Sequence, residues 1–344
     1  MPWFSKQQGS QKQTADHQGA KDQNVKAQHS GSTLAALPAS FEQAQADTHL
    51  PAIRPRLALT IGVLAVSTAA VFIRLAAAPG VVVALYRMLF ASLALAPFTL
   101  RALKRTPLSF QNAPYAILAG LCLAAHFATW ISSLSYTSVT ASAALVNTNP
   151  LWMALFSWLF LGLAPPLTVL LGAVLAVLGG ALIGFDGSSI GSQPALGNGL
   201  ALVGAIAISA YLLLGRSAQR RGLSLPAYVG SAYAVAALAL LPLPLVFNLP
   251  YAPYPALTWL WLVLLALVPQ LIGHTSFNYT MNYLPPTLVA TVILLEPIGA
   301  ALLALIVFTE IPSVLTATGA GILLVGVILT ARNNRSQRDK ASSE

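Results

Sequence analysis

Four ionisable side chains stand inside stretches that are otherwise apolar: Arg87, His126, His274 and Glu296. Glu296 is the only acid well inside such a stretch, near the middle of Thr287–Phe308. A lone carboxylate in lipid is costly, so it must face a polar interior, carry a proton or pair with a base. In a functional role it would carry a coupling proton or hold a substrate amine. In a structural role it would bond a carbonyl freed beside Pro297. Arg87 could grip a substrate carboxylate with its planar fork, or reach toward headgroups or a helix C-terminus. His126 with Trp130, and His274 with Asn278, are each spaced by four, which puts each pair on one helical face. Such faces suit a cavity for a polar, partly aromatic metabolite, or a histidine bonded to a neighbouring helix. Asn147, Thr148 and Asn149 precede Pro150 and would line a pathway or satisfy freed carbonyls. Tyr211 is a further cavity candidate, with a core aromatic as its alternative. No third ligand clusters near the two histidines, so neither a metal site nor a cofactor is expected.

These side chains need elements to hold them, and composition restricts the choice. Apolar residues make up 56% of the 344-residue chain and charged ones 8%, against about 25% charged in a soluble domain. Ten apolar segments follow residue 55: Leu57–Leu75, Val81–Leu100, Tyr115–Leu134, Thr140–Leu163, Leu167–Phe185, Gly197–Gly215, Ala227–Phe247, Leu257–Phe277, Thr287–Phe308 and Val314–Thr330. Most reach the roughly 20 residues that cross a bilayer, and lipid requires them to be helices. An all-α membrane protein of ten transmembrane helices is expected. The net charge of +9 has no folded basic face to carry it, so no nucleic-acid partner is expected. Residues 1–55 are polar, lack an apolar stripe, and read as a disordered tail without a cleavable leader. The single Cys122 reads as a packing residue.

Prolines and glycines recur at a constant offset of 147 residues: Pro97 with Pro244, Pro150 with Pro297, Pro165 with Pro312, Gly172 with Gly319 and Gly179 with Gly326. Tyr86 falls on Tyr233 in the same register; upstream, at a slightly shorter offset, Arg74 falls on Arg216. This is the mark of a duplicated backbone. The seven-residue glycine spacing puts Gly172 and Gly179, and Gly319 and Gly326, on close-packing helix faces. Residues 56–185 and 200–331 are therefore two five-helix repeats, joined by a Gly- and Ser-rich linker at 186–199 and followed by a tail at 332–344. Sixteen of the eighteen Lys and Arg residues fall on one side of the resulting arrangement, leaving Arg74, an expected boundary anchor, and Arg87. The positive-inside rule puts that side, with both termini, in the cytoplasm. An odd number of helices per repeat then inserts the second upside down, with a substrate site where the halves meet.

Particular segments resemble the EamA-type carriers of the drug/metabolite transporter superfamily. Tyr86-Arg87-Met88-Leu89-Phe90 resembles the family's aromatic-Arg-Phe stretch, and Leu134-Ser135-Tyr136-Thr137-Ser138 its Leu-x-Tyr-Thr-Ser signature. Leu295-Glu296-Pro297, then Thr309-Glu310 and a glycine-rich segment, match a third pattern. The first repeat departs from it, with Asn149 where the second has Glu296 and Leu163 where it has Glu310. The resemblance implies a secondary transporter in the cell membrane, not an enzyme. Its cargo would be a small organic metabolite, foremost an amino acid or related compound, with export the expected direction. A drug, amine or nucleotide-sugar carrier of the same fold is the alternative; an intramembrane enzyme is a distant one, since no His-Glu-x-x-His is present. A proton as coupling ion and a homodimer as assembly stay open.

Overall fold

The computed structural model describes residues 53–137, 139–161, 166–185, 192–284 and 286–309, with parts of 314–329. All belong to one unit, Ala52–Glu344. The expected tails lie outside the described residues, except that 53–55 already form the start of the first helix.

In chain order the helices are α1 Ile53–Ser67, α2 Ala69–Ala76, α3 Gly80–Arg105, α4 Ala113–Ser133, α5 Val139–Val146, α6 Asn149–Leu161 and α7 Leu167–Phe185. There follow α8 Pro194–Arg220, α9 Leu225–Leu240, α10 Leu243–Val246, α11 Ala256–Leu265, a π-helical segment Ala266–His274, α12 Thr275–Thr280, α13 Pro286–Ile293 and α14 Glu296–Phe308. Six helical stretches are long and apolar enough to cross a membrane: Arg54–Ala76, Gly80–Arg105, Ala113–Ser133, Ala195–Arg220, Leu225–Val246 and Ala256–Thr280. Their outer faces carry exposed Leu64, Leu93, Phe98 and Leu238, which fits lipid rather than water as the surrounding solvent.

The fourth and ninth segments are not the single proline-kinked helices expected. Each is broken into two, at residues 147–148 between α5 and α6, and at 294–295 between α13 and α14. The breaks match at the same offset of 147 that relates the prolines. Pro150 and Pro297 fall in the first turn of the second half-helix. There the missing N–H has no partner to lose, so each proline starts a helix instead of bending one. At the first break two carbonyls each accept twice: Ala143 O from Asn147 N–H and Nδ2, and Leu145 O from the Thr148 N–H and hydroxyl, the side-chain bonds both at 2.7 Å. Glu296 accordingly opens α14 rather than lying mid-helix, where the helix dipole favours a negative charge.

Two further boundaries differ from expectation. Helix α8 begins at Pro194, inside the stretch read as linker, and runs to Arg220. Arg216 and Arg220 therefore belong to the helix instead of following it. The eighth segment also departs from regular geometry over Ala266–His274. Pro269 lies within that stretch, and its lack of an N–H removes one regular i→i−4 bond. The counterpart of Pro269 in the first repeat is Cys122, and α4 is regular there.

Helices from the two halves of the sequence interleave. Helix α4 packs along α8 and α9, α3 along α9, and α1 along the π segment. Small residues permit the close approach. A methyl group added at Gly326 would stand 2.5 Å from Gly172 O and 2.6 Å from Ala176 N, so Gly326 lies directly against the backbone of α7. Gly326→Ala should therefore lower stability by about 1–3 kcal/mol, since backbone on the opposing helix cannot yield as a side chain would. A melting curve in detergent checks this; an unchanged midpoint would refute the contact.

Candidate functional site

The breaks in the fourth and ninth segments and the π segment in the eighth open onto a common space. The cleft is narrow, with a free volume of about 30 Å³, room for one or two water molecules. Arg87 of α3, His126 and Trp130 of α4, Asn147 and Asn149 at the first break, His274 of the π segment and Glu296 at the second break all line it. Seven of the ten residues singled out above thus meet in one place.

Arg87 is fully buried, so its side chain packs inside the bundle and not at its surface. Its Nε–H donates to Gln270 Oε1 at 2.8 Å, and its guanidinium carbon lies 4.1 Å from the centre of the Phe127 ring. These two contacts fix the plane of the fork. Nη1 and Nη2 are buried and have no hydrogen-bond partner. The geometry leaves two parallel N–H donors at the cleft, the arrangement that takes a carboxylate in two-point contact.

The two histidines approach each other from different repeats, with ring centres 6.3 Å apart. His126 Nδ1 donates to Gly204 O at 2.9 Å, which orients the ring and leaves Nε2 of the neutral form as an acceptor. Its ring stacks on Trp130 at 5.6 Å and 12°, as the four-residue spacing suggested. His274 stands edge-on to Phe127 at 5.4 Å. Trp130 Nε1, His274 Nδ1 and Asn149 Oδ1 are buried without partners. Asn147 Nδ2 donates to Ala143 O, which also accepts the Asn147 backbone N–H. Glu296 shares the cleft with Arg87, yet no ion pair joins them among the described residues.

Tyr211 and Asn278 are not among the residues that line this space. Asn278 Nδ2 donates to the Tyr211 hydroxyl at 2.6 Å and to His274 O at 2.8 Å. The Tyr211 ring stacks on Tyr228 at 6.2 Å and 27°. Both side chains are buried, and these bonds let them brace the wall, while Asn278 Oδ1 has no partner. Tyr211→Phe would leave one Asn278 N–H unpaired, and should cost about 1–3 kcal/mol of stability while transport per folded molecule persists. Parallel melting and flux assays would expose a ligand contact if flux fell instead.

Gln270 escaped the sequence reading. The available signal was an amide directly after Pro269 inside an apolar segment, but no spacing rule links it to Arg87. Among the described residues no group of three or more His, Cys, Asp or Glu side chains could hold a metal ion.

Comparison with known proteins points the same way. The model of the EamA-like transporter family matches twice, over residues 56–185 and 195–332. A curated relative, the pseudopaline exporter CntI of Pseudomonas aeruginosa, is 25% identical over 232 residues, covering 66% of this chain and 78% of the relative. A solved crystal structure superposes with a TM-score of 0.68 at 19% identity, covering 83% of this chain and 98% of the other. That likeness concerns the fold alone.

Proposed function

The chain belongs to the EamA-like transporter family, within the drug/metabolite transporter superfamily, and from that premise we propose that it is a secondary transporter exporting a small carboxylate-bearing metabolite. An amino acid or a related compound is the cargo class. The observation that carries this reading is the buried Arg87, which lines the cleft while its Nη1 and Nη2 have no hydrogen-bond partner. A guanidinium desolvated in this way is unfavourable unless an anion completes it. The export direction draws on the relative whose name describes an exporter.

In this mechanism the cargo carboxylate pairs with Arg87, and its polar remainder meets the His126, Trp130 and Asn149 wall. Glu296 opposes Arg87 across the cleft and either exchanges a proton or takes the cargo amine. The half-helices on either side of the two breaks are the parts that move, and the two repeats rock so that the cleft opens to each side in turn. The repeats insert with opposite orientation, both termini face the cytoplasm, and the membrane is the cytoplasmic one. The charge distribution supports that topology. A drug or amine carrier is the second reading, favoured by the carboxylate of Glu296.

Purified protein in liposomes, loaded with a panel of unlabelled amino acids, tests the proposal through uptake of the labelled counterpart. Saturable uptake accelerated by internal substrate supports a carrier. Amine exchange without any carboxylate exchange would replace the cargo class, and absence of all such exchange would overturn the function.

A further inference from the structure

A second buried guanidinium has no place in the mechanism above. Arg216, in the last turns of α8, is 9% exposed, and its Nε and Nη1 have no hydrogen-bond partner. Ile208, Leu212 and Arg216 follow one another at intervals of four, which places them on one helical stripe. Ile208 and Leu212 line the cleft. Arg216 stands about 6 Å farther along the axis, toward Arg220 and Arg221 at the end of the helix. Beyond it, Gln219 Oε1 accepts a hydrogen bond from Asn282 Nδ2 at 2.7 Å. That bond ties the end of α8 to the turn after α12. Arg216 thus lies along α8 between the cleft-lining residues and the Gln219–Asn282 contact near the end of the helix. Glu296 is the only carboxylate among the described residues, and it lies in the cleft, so no described acid neutralises Arg216.

We propose that Arg216 is a second carboxylate-binding station, on the arm of the pathway leading from the Arg220–Arg221 end of the bundle to the cleft. It rests on reading the cleft as a transport site. Cargo entering from that end exchanges hydration for the Arg216 donors once the Gln219–Asn282 bridge parts, then passes one helical stripe inward to Arg87. A single deep cation would demand complete dehydration in one step. Two stations divide that barrier, and neither binds so tightly as to trap the anion.

The single native cysteine makes a direct test available. In a Cys122→Ser background, Leu212→Cys places a thiol one turn from Arg216. The full-length protein in inside-out vesicles is treated with two methanethiosulfonate reagents, one an anionic sulfonate and one a cationic trimethylammonium. With Arg216 present the anionic reagent should react about tenfold faster than the cationic one. Arg216→Lys should keep that preference and Arg216→Gln should abolish it. Acetate should slow the anionic reagent relative to chloride at equal ionic strength while Arg216 is intact, a reading that needs no variant at position 216. An unchanged ratio in Arg216→Gln, no protection by acetate, or a thiol inert to both reagents would each overturn the station. Labelling does not require flux. Anion preference without amino-acid exchange sinks only the cargo reading, and exchange without preference sinks only this one.

Discussion

Replacing Arg87 by methionine is expected to abolish carboxylate exchange while leaving the protein folded. Two charge-assisted hydrogen bonds to cargo are lost, together about 3 kcal/mol or more, which corresponds to at least a hundredfold in apparent affinity. Methionine fills much of the same volume and can pack on Phe127, whose ring lies 4.1 Å from the guanidinium. Removing the buried cation relieves a desolvation penalty and leaves buried Gln270 Oε1 without its donor, two opposing effects of similar size. The melting midpoint should therefore change little as flux disappears. Arg87→Lys should rescue little, because an ammonium is a point donor and cannot both reach Gln270 and present two parallel N–H groups. Wild-type exchange in the methionine variant would remove Arg87 from the site. A collapse of the midpoint together with flux would assign it to the core instead.

Glu296→Gln is expected to disconnect transport from the pH gradient. Glutamine keeps the size of the side chain and can still sit at the start of α14, so the half-helix should persist. It cannot exchange a proton. With one proton moved per cargo molecule, each unit of pH difference supports about a tenfold concentration ratio, the free-energy equivalent of one pH unit. Liposomes carrying the native protein should approach that ratio, whereas the variant should only equilibrate cargo and still catalyse one-for-one exchange. Retention of both rate and pH dependence would end the coupling assignment. Loss of affinity for amines alone, with pH dependence intact, would instead make Glu296 a ligand for the cargo amine.

The two effects depend on a site whose parts differ in how far they can be read from the chain. Glu296, Arg87 and the two histidines stand out because an ionisable group in an apolar stretch is unfavourable wherever that stretch lies in lipid, a property visible one residue at a time. The four-residue spacing of His126 and Trp130 likewise carries directly into their stacked rings, because helix periodicity is local. The same rule put Asn278 on the face of His274, and the structure gives its amide the Tyr211 hydroxyl as partner. Periodicity identifies residues that share a face but not what lies opposite that face.

Hydropathy and the recurrence of Pro150 as Pro297 were enough to establish helices in lipid and a duplicated chain, since both follow from solvent preference and backbone chemistry along the sequence. Tertiary structure alone decided that the fourth and ninth segments break at 147–148 and 294–295, and that the eighth widens around Pro269. It also paired Arg87 with Gln270 across 183 residues. Where a broken helix lies depends on the helices packed against it, and the orientation of a guanidinium depends on the group that holds its Nε–H. Both conditions arise between segments, and no segment states them by itself.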